Sequence, residues 1–137
     1  MSMEISIEAL IDAPLTNVWS AWVSASDISK WNFASNDWLC PRAEIDLMVG
    51  AGFNYRMEAK DGSMGFDFKG VFTDIEPESK IEYELADGRK VLITFAQTEQ
   101  GIRLVETFEA ENEFSAAQQK AGWQCILNNF KQYVETL

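Results

Sequence analysis

The chain is predicted to be an α+β protein in which a strongly curved antiparallel sheet of about six or seven strands wraps around one long C-terminal helix, with two short helices after strand one. Three features carry this reading. Residues 3–11 alternate apolar and polar side chains, residues 42–108 break into short alternating segments separated by glycine turns, and residues 115–137 carry an apolar stripe at helical spacing. A length of 137 residues fits one domain, 1–137, able to bury a core without disulfide or metal staples.

In the first strand Met3, Ile5, Ile7, Ala9 and Ile11 alternate with Glu4, Ser6 and Glu8, the period of two of a half-buried strand. Asp12-Ala13-Pro14 stops it. Asp12 or Ala13 is placed at a helix cap and Pro14 in the first turn, and Leu15, Val18, Trp19 and Trp22 follow at helical spacing. A second short helix runs from Ser26 or Asp27 to Trp31, with Ser26-Asp27 as its cap and Ile28 and Trp31 on one face. Residues 32–41 have no clean period and read as the longest loop, although they carry Phe33, Trp38 and Leu39.

A meander follows. Residues 43–46 lead to the Gly50-Ala51-Gly52 turn, after which Phe53, Tyr55 and Met57 alternate with Asn54, Arg56 and Glu58. Asp61-Gly62 makes a hairpin, Phe66, Phe68 and Phe72 alternate with Asp67 and Lys69, and Pro77 closes that strand. Ile81, Tyr83 and Leu85 form the next strand before Asp87-Gly88. Val91, Ile93 and Phe95 lead to Gln100-Gly101, and Ile102, Leu104 and Phe108 form the last strand. In the final segment Trp123, Ile126, Leu127, Phe130, Val134 and Leu137 share one stripe of a long helix. Strand twist accumulates, so a sheet of this length curls, and only the last helix is long enough to cover its concave face.

Composition narrows the function classes. Twenty-two acidic against eleven basic residues give a formal charge of −11, a field that repels phosphate backbones and anionic surfaces, so nucleic acid is not an expected partner. Histidine is absent, which removes the commonest general base and zinc ligand. Cys40 and Cys125 form no CxxC pair, and Met1-Ser2-Met3-Glu4 shows no basic, apolar leader. Two reduced thiols and a cytoplasmic location are therefore expected, with a disulfide as the less favoured reading. No apolar run approaches the roughly 20 residues of a membrane span, so membrane insertion is not expected.

The order and spacing of several motifs resemble the activator of heat shock protein 90 ATPase homologue family, within the START-like helix-grip superfamily that includes the birch pollen allergen. They are Ala13-Pro14 with Val18-Trp19, Trp31, Gly50-Ala51-Gly52-Phe53, Asp61-Gly62, Gly70-Val71-Phe72, Ile75-Glu76-Pro77, Gly122-Trp123 and Leu127-Asn128-Asn129-Phe130. The resemblance covers nearly the whole chain. It implies a helix-grip fold with a cavity between sheet and last helix, in a family whose members bind apolar ligands or have no known activity. The co-chaperones that give the family its name carry an additional N-terminal domain for which this chain has no room, so chaperone binding is not the expectation.

The expected ligand is a small apolar or aromatic molecule, with no cofactor and no metal. Phe53, Tyr55, Met57, Phe66, Phe68, Tyr83, Val91, Ile93, Phe95 and Leu104 are placed on the inward face, opposite Trp123, Ile126 and Leu127. Phe33 and Trp38 are placed at the cavity mouth, in the loop between helix and sheet where a helix-grip pocket opens, and Trp31 stands beside them. The competing reading for each aromatic is ordinary core packing, which rewards burial of one large side chain by roughly 1.5–3 kcal/mol.

Glu106 falls in phase with Leu104 and Phe108 on the inward face. A buried carboxylate is costly unless paired or protonated, so Glu106 either pairs with Arg56, Arg89 or Arg103 or titrates high and serves as an acid or base. A slipped register or a paired structural charge is the plainer expectation. Enzymes of the cyclase, dehydratase or hydrolase kind would use Tyr55 or Tyr83 with Glu106, and no residue is assigned as catalytic. Cys125, one residue off the apolar stripe, reads as a small buried hydrophobe. Exposed strand edges permit a homodimer without specifying an interface.

Overall fold

The computed structural model describes residues 3–137; Met1 and Ser2, the start of the stretch read above for a leader, lie outside them. The chain runs β1 (Glu4–Ile11), α1 (Leu15–Val23), α2 (Ala25–Trp31), β2 (Trp38–Ile45), β3 (Gly52–Ala59), β4 (Gly65–Glu76), β5 (Lys80–Leu85), β6 (Lys90–Thr98), β7 (Gly101–Glu109) and α3 (Ala116–Glu135). The seven strands form one antiparallel sheet in the order β1-β7-β6-β5-β4-β3-β2. Six strands follow the chain as a meander, and β1 joins at the far side of β7. The result is the curled sheet around a C-terminal helix that the sequence predicts.

Alternation sets the two faces. Along β1, Ile5, Ile7, Ala9 and Ile11 are buried while Glu4, Ser6, Glu8 and Leu10 face solvent. Opposite them on β7 stand Phe108, Glu106, Leu104 and Ile102, all buried. The pairing is continuous here, so Glu106 points inward by register and not by slippage. Register shifts at Leu39/Arg42 in β2 and Phe72/Asp74 in β4 mark bulges, which bend strands and increase twist.

Packing divides α3 into two unlike halves. Leu127, Phe130 and Val134 in its C-terminal half are at most 1% exposed. Against them α1 and α2 lay an aromatic cluster: Trp22 and Trp31 have ring centroids 4.8 and 4.7 Å from that of Phe130. The Trp31 Nε1–H donates to the Ala21 carbonyl at 3.0 Å, which fixes the indole's tilt. Polar ties pin the same half of α3. The Asp12 N–H donates to Glu135 Oε2 at 2.8 Å, Asn129 Nδ2 donates to the Phe33 carbonyl at 2.8 Å, and the Tyr133 hydroxyl donates to Asp27. At the other end Ser115 and Gln118 form a reciprocal capping box.

Several local expectations are corrected. Pro14 is itself the N-cap of α1, its carbonyl accepting from the Asn17 and Val18 N–H groups, and Ser24 rather than Ser26-Asp27 caps α2. Strand β2 starts at Trp38, so the loop ends at residue 37; Pro41 sits at the bulge of an edge strand, where a missing N–H is tolerated. Cys40 is buried and Cys125 is exposed, both as free thiols. One step of 100° off the stripe turns Cys125 to solvent. Among the described residues no helix is long and apolar enough to cross a membrane.

Candidate functional site

The N-terminal half of α3 rests on the sheet along its β1–β7 side, where Trp123 stacks on Phe108 and Gln124 Nε2 donates to the Glu8 carbonyl at 3.2 Å. A cavity of about 550 Å³ opens beside that contact, lined by Gln119, Gly122, Trp123 and Ile126 of α3 and by side chains of β3, β4, β5 and β7. Cross-strand register builds its floor: Tyr55 stands opposite Phe68, and Met57 opposite Phe66. Phe53 lies one pair further along, opposite Gly70. A Cβ at Gly70 would stand 3.1 Å from the Phe53 ring and 2.6 Å from the Glu84 carbonyl oxygen, so only glycine leaves room for that ring against the strand. Phe53 then carries Tyr55 and Phe68 in aromatic contact, with centroids at 4.7 and 5.8 Å.

Trp22 and Trp31 wall the end nearest the short helices, and Trp123 hangs from α3. The opposite rim is formed by Phe66 and Phe114, which line the cavity while remaining 49% and 57% exposed. The cavity therefore opens to solvent between the start of β4 and the segment preceding α3. That segment is fastened to the helix by one side chain. Gln119 Nε2 donates to the Glu111 and Phe114 carbonyls at 3.2 and 2.8 Å, and its Oε1 accepts from the Glu111 N–H at 2.9 Å.

The polar groups on the wall are few. Glu106 is 6% exposed and has no hydrogen bond or ion pair among the described residues. Burial raises its pKa from the ordinary 4.5 to about 8. The three arginines considered as partners are engaged elsewhere: Arg56 with Glu58 and Asp67, Arg89 with Asp87, and Arg103 with Glu8. The expectation of a slipped or arginine-paired Glu106 is thus corrected. Burial pushes both the Tyr55 and Tyr83 phenols well up, and Glu106 adds to the shift at Tyr83. Both hydroxyls stay protonated near neutral pH and can donate to a guest. Arg89 reaches the wall with its Nε held by Asp87 at 2.8 Å, and Glu111 brings a second carboxyl group, one oxygen of which is buried without a hydrogen-bond partner.

Of the residues singled out in the sequence, the structure brings Trp31, Tyr55, Met57, Phe66, Phe68, Tyr83, Glu106 and Trp123 onto one wall. Phe53, Val91, Ile93 and Leu104 face inward but are packed in the core, and four further residues also lie off the wall. Phe95 is covered by Trp19 and Trp22, and Leu127 is fully buried in the packed half of α3. Both face inward, yet the short helices fill that end of the sheet. Trp38 opens β2 and packs edge-on to Phe66 with centroids 6.0 Å apart, so it supports the rim without lining the cavity. Phe33 is partly buried, tied through its backbone to Asn129, and stands off the wall. Sequence reasoning missed Asn32, Glu111, Phe114, Gln118 and Gln119, which sit in loops, turns or the first turn of α3, and it named Arg89 only as a partner for Glu106. The Ser115-x-x-Gln118 capping box was the one signal that could have marked where that wall begins.

A family model described as activator of Hsp90 ATPase homolog 1-like protein matches residues 12–135. The chain belongs to this family. An AHSA1-like protein from Aeromonas hydrophila, solved in solution, is 48% identical with a TM-score of 0.92, covering 98% of this chain and 93% of that one. A solution structure from Cytophaga hutchinsonii is 42% identical with a TM-score of 0.84, covering 97% and 92% of the two chains. A crystal structure from Nitrosomonas europaea, at 16% identity and a TM-score of 0.81, covers 98% and 95% and shares the fold alone. A search of curated proteins gives no match. The AHSA1-like fold is thus common to these chains, and it is one that typically holds a ligand in the cavity.

Proposed function

We propose that this AHSA1-like protein binds a small, largely apolar or aromatic molecule between the sheet and the N-terminal half of α3. One observation carries the reading: a cavity of about 550 Å³, walled by aromatic rings and open at the Phe66–Phe114 rim. Its volume falls in the range of ligand pockets, about 300–1,000 Å³. Ordinary core packing leaves few voids larger than a water molecule, so packing alone does not account for a space of this size. Trp31, Tyr55, Met57, Phe66, Phe68, Tyr83, Glu106 and Trp123 are the proposed contacts. A cytoplasmic location belongs to the same proposal, supported by two free thiols.

A thermal-shift screen against apolar and aromatic compounds tests it, because a ligand selective for the native state raises Tm by mass action. A saturable shift that is lost in a folded Trp123→Ala variant supports the proposal. No shift across a chemically diverse library defeats it.

Glu106 favours a second reading, an enzyme in which this carboxyl transfers a proton. A raised pKa near neutrality suits general acid–base chemistry. Incubation of a bound compound with wild type and Glu106→Gln, followed by mass spectrometry, tests it: conversion by the wild type alone supports it, and an unchanged compound in both rejects it.

A further inference from the structure

The charge of the guest is written on the wall. We propose that the cavity selects an organic cation, an amine carried on an aromatic or branched apolar body, whose ammonium group pairs with Glu106 while the body packs against Trp22, Trp31 and Trp123. The inference rests on the reading of the cavity as a ligand site and adds the ligand's chemical class to it.

Three observations support it independently of one another. Glu106 is more than nine-tenths buried, faces the cavity, and has no hydrogen bond or ion pair among the described residues, so its carboxyl oxygens offer acceptors that none of these residues fills. The walls that surround a guest are aromatic, and ring faces attract cations, most strongly those of Trp. Glu111 is a second carboxyl group on the same wall, in a chain of net charge −11 that draws cations toward its clefts and repels anions. Arg89 is the one basic residue on that wall, and Asp87 already accepts from both its backbone N–H and its Nε. An anionic guest would take at most one hydrogen bond from the neutral Glu106 carboxyl, whereas an ammonium group can pair with it as a carboxylate.

Binding then carries a proton signature. The titratable and charged groups on the cavity wall are Tyr55 from β3, Tyr83 from β5, Arg89 from the β5–β6 turn, Glu111 after β7 and Glu106 itself. The helices contribute uncharged side chains to it. With its pKa raised by burial to about 8, the Glu106 carboxyl is mostly protonated in the free protein at pH 7. An aliphatic ammonium group keeps its own up to about pH 10, as lysine does. Pairing ammonium with carboxylate therefore expels the Glu106 proton to solvent, and a neutral guest expels none.

The test uses three probes that share one body, 3,3-diphenylpropylamine, 3,3-diphenylpropan-1-ol and 3,3-diphenylpropanoate, titrated calorimetrically into the full chain at pH 7 in two buffers of different ionisation enthalpy. The amine is expected to bind at least tenfold more tightly than the alcohol or the carboxylate, with release of about one proton, and to tighten as pH rises toward 8. Glu106→Gln should weaken the amine at least tenfold and leave the alcohol within about threefold, and the proton count on wild type needs no variant at all. An alcohol or carboxylate that binds as tightly as the amine, or amine binding unchanged by Glu106→Gln, overturns the cation inference and leaves the apolar-ligand proposal standing. Failure of all three probes to bind overturns the cation inference and counts against the wider proposal, which the compound screen then decides.

Discussion

The indole of Trp123 lies flat on the ring of Phe108, with centroids 3.8 Å apart and 10° between the planes. This stack joins α3 to β7 beside the cavity. Trp123 also meets the edge of Phe68 at 6.0 Å. Its removal should therefore widen the cavity and loosen the helix together. Trp123→Ala is expected to cost about 3 kcal/mol, at the low end for loss of a large aromatic because Trp123 is only half-buried. Trp123→Phe keeps a ring on Phe108 and should cost about 1 kcal/mol. Urea denaturation of both variants checks the ratio.

Glu106 should make stability fall as pH rises. Its native pKa of about 8 lies above the ordinary 4.5, so between those values the folded protein keeps a proton that the unfolded chain has lost. The stabilising contribution is complete below about pH 4.5 and is lost as pH rises through 8, with a slope of up to about 1.4 kcal/mol per unit. Glu106→Gln removes this dependence. Denaturation at pH 5, 6.5 and 8 should show the variant gaining steadily on wild type; a constant difference would mean that Glu106 is ionised throughout.

Two glycines should respond to alanine with opposite signs. At Gly70 a methyl group would meet the Glu84 carbonyl oxygen at 2.6 Å and the Phe53 ring at 3.1 Å, so Gly70→Ala should lower stability by about 1–3 kcal/mol. At Gly122, within α3, a methyl group would meet nothing within 4 Å. Gly122→Ala should raise stability by about 0.5–1 kcal/mol through helix propensity, while trimming the cavity it borders. Thermal melting of the pair reads both signs in one experiment.

Tyr133 and Asp27 tie the end of α3 to α2. Burial together with the Asp27 hydrogen bond pushes the Tyr133 phenol up to about 12. Tyr133→Phe should cost about 1–2 kcal/mol and speed amide exchange in α2 and the last turns of α3, leaving the cavity half of the helix unchanged. Equal acceleration along the whole of α3 would show that the helix opens as one unit.

What the sequence made legible follows its periodicities. The twofold alternation of β3, β4 and β5 put Tyr55, Met57, Phe66, Phe68 and Tyr83 on one face, and that face became the cavity floor because strand pairing carries the pattern sideways unchanged. The phase of β7 likewise placed Glu106 inward against the plainer expectation. Periodicity gives the face and says nothing about what covers it. Phe95 and Leu127 were read on the correct face but stand where α1, α2 and Phe130 fill the space, a matter of how far two short helices reach across a curved sheet. Asn32, Arg89, Glu111 and Phe114 reach the wall from segments with no period, so only tertiary placement reveals them.

Gln119 gives the site its mechanics. One buried side chain spans from the helix to the backbone of residues 111 and 114, so the segment bearing Phe114 is fastened to the first turn of α3. The aperture and the roof thus share one hydrogen-bonded joint, while the far end of α3 is held separately by the Tyr133–Asp27 and Glu135–Asp12 ties. A substitution that cuts the Gln119 bonds therefore weakens doorway and roof together.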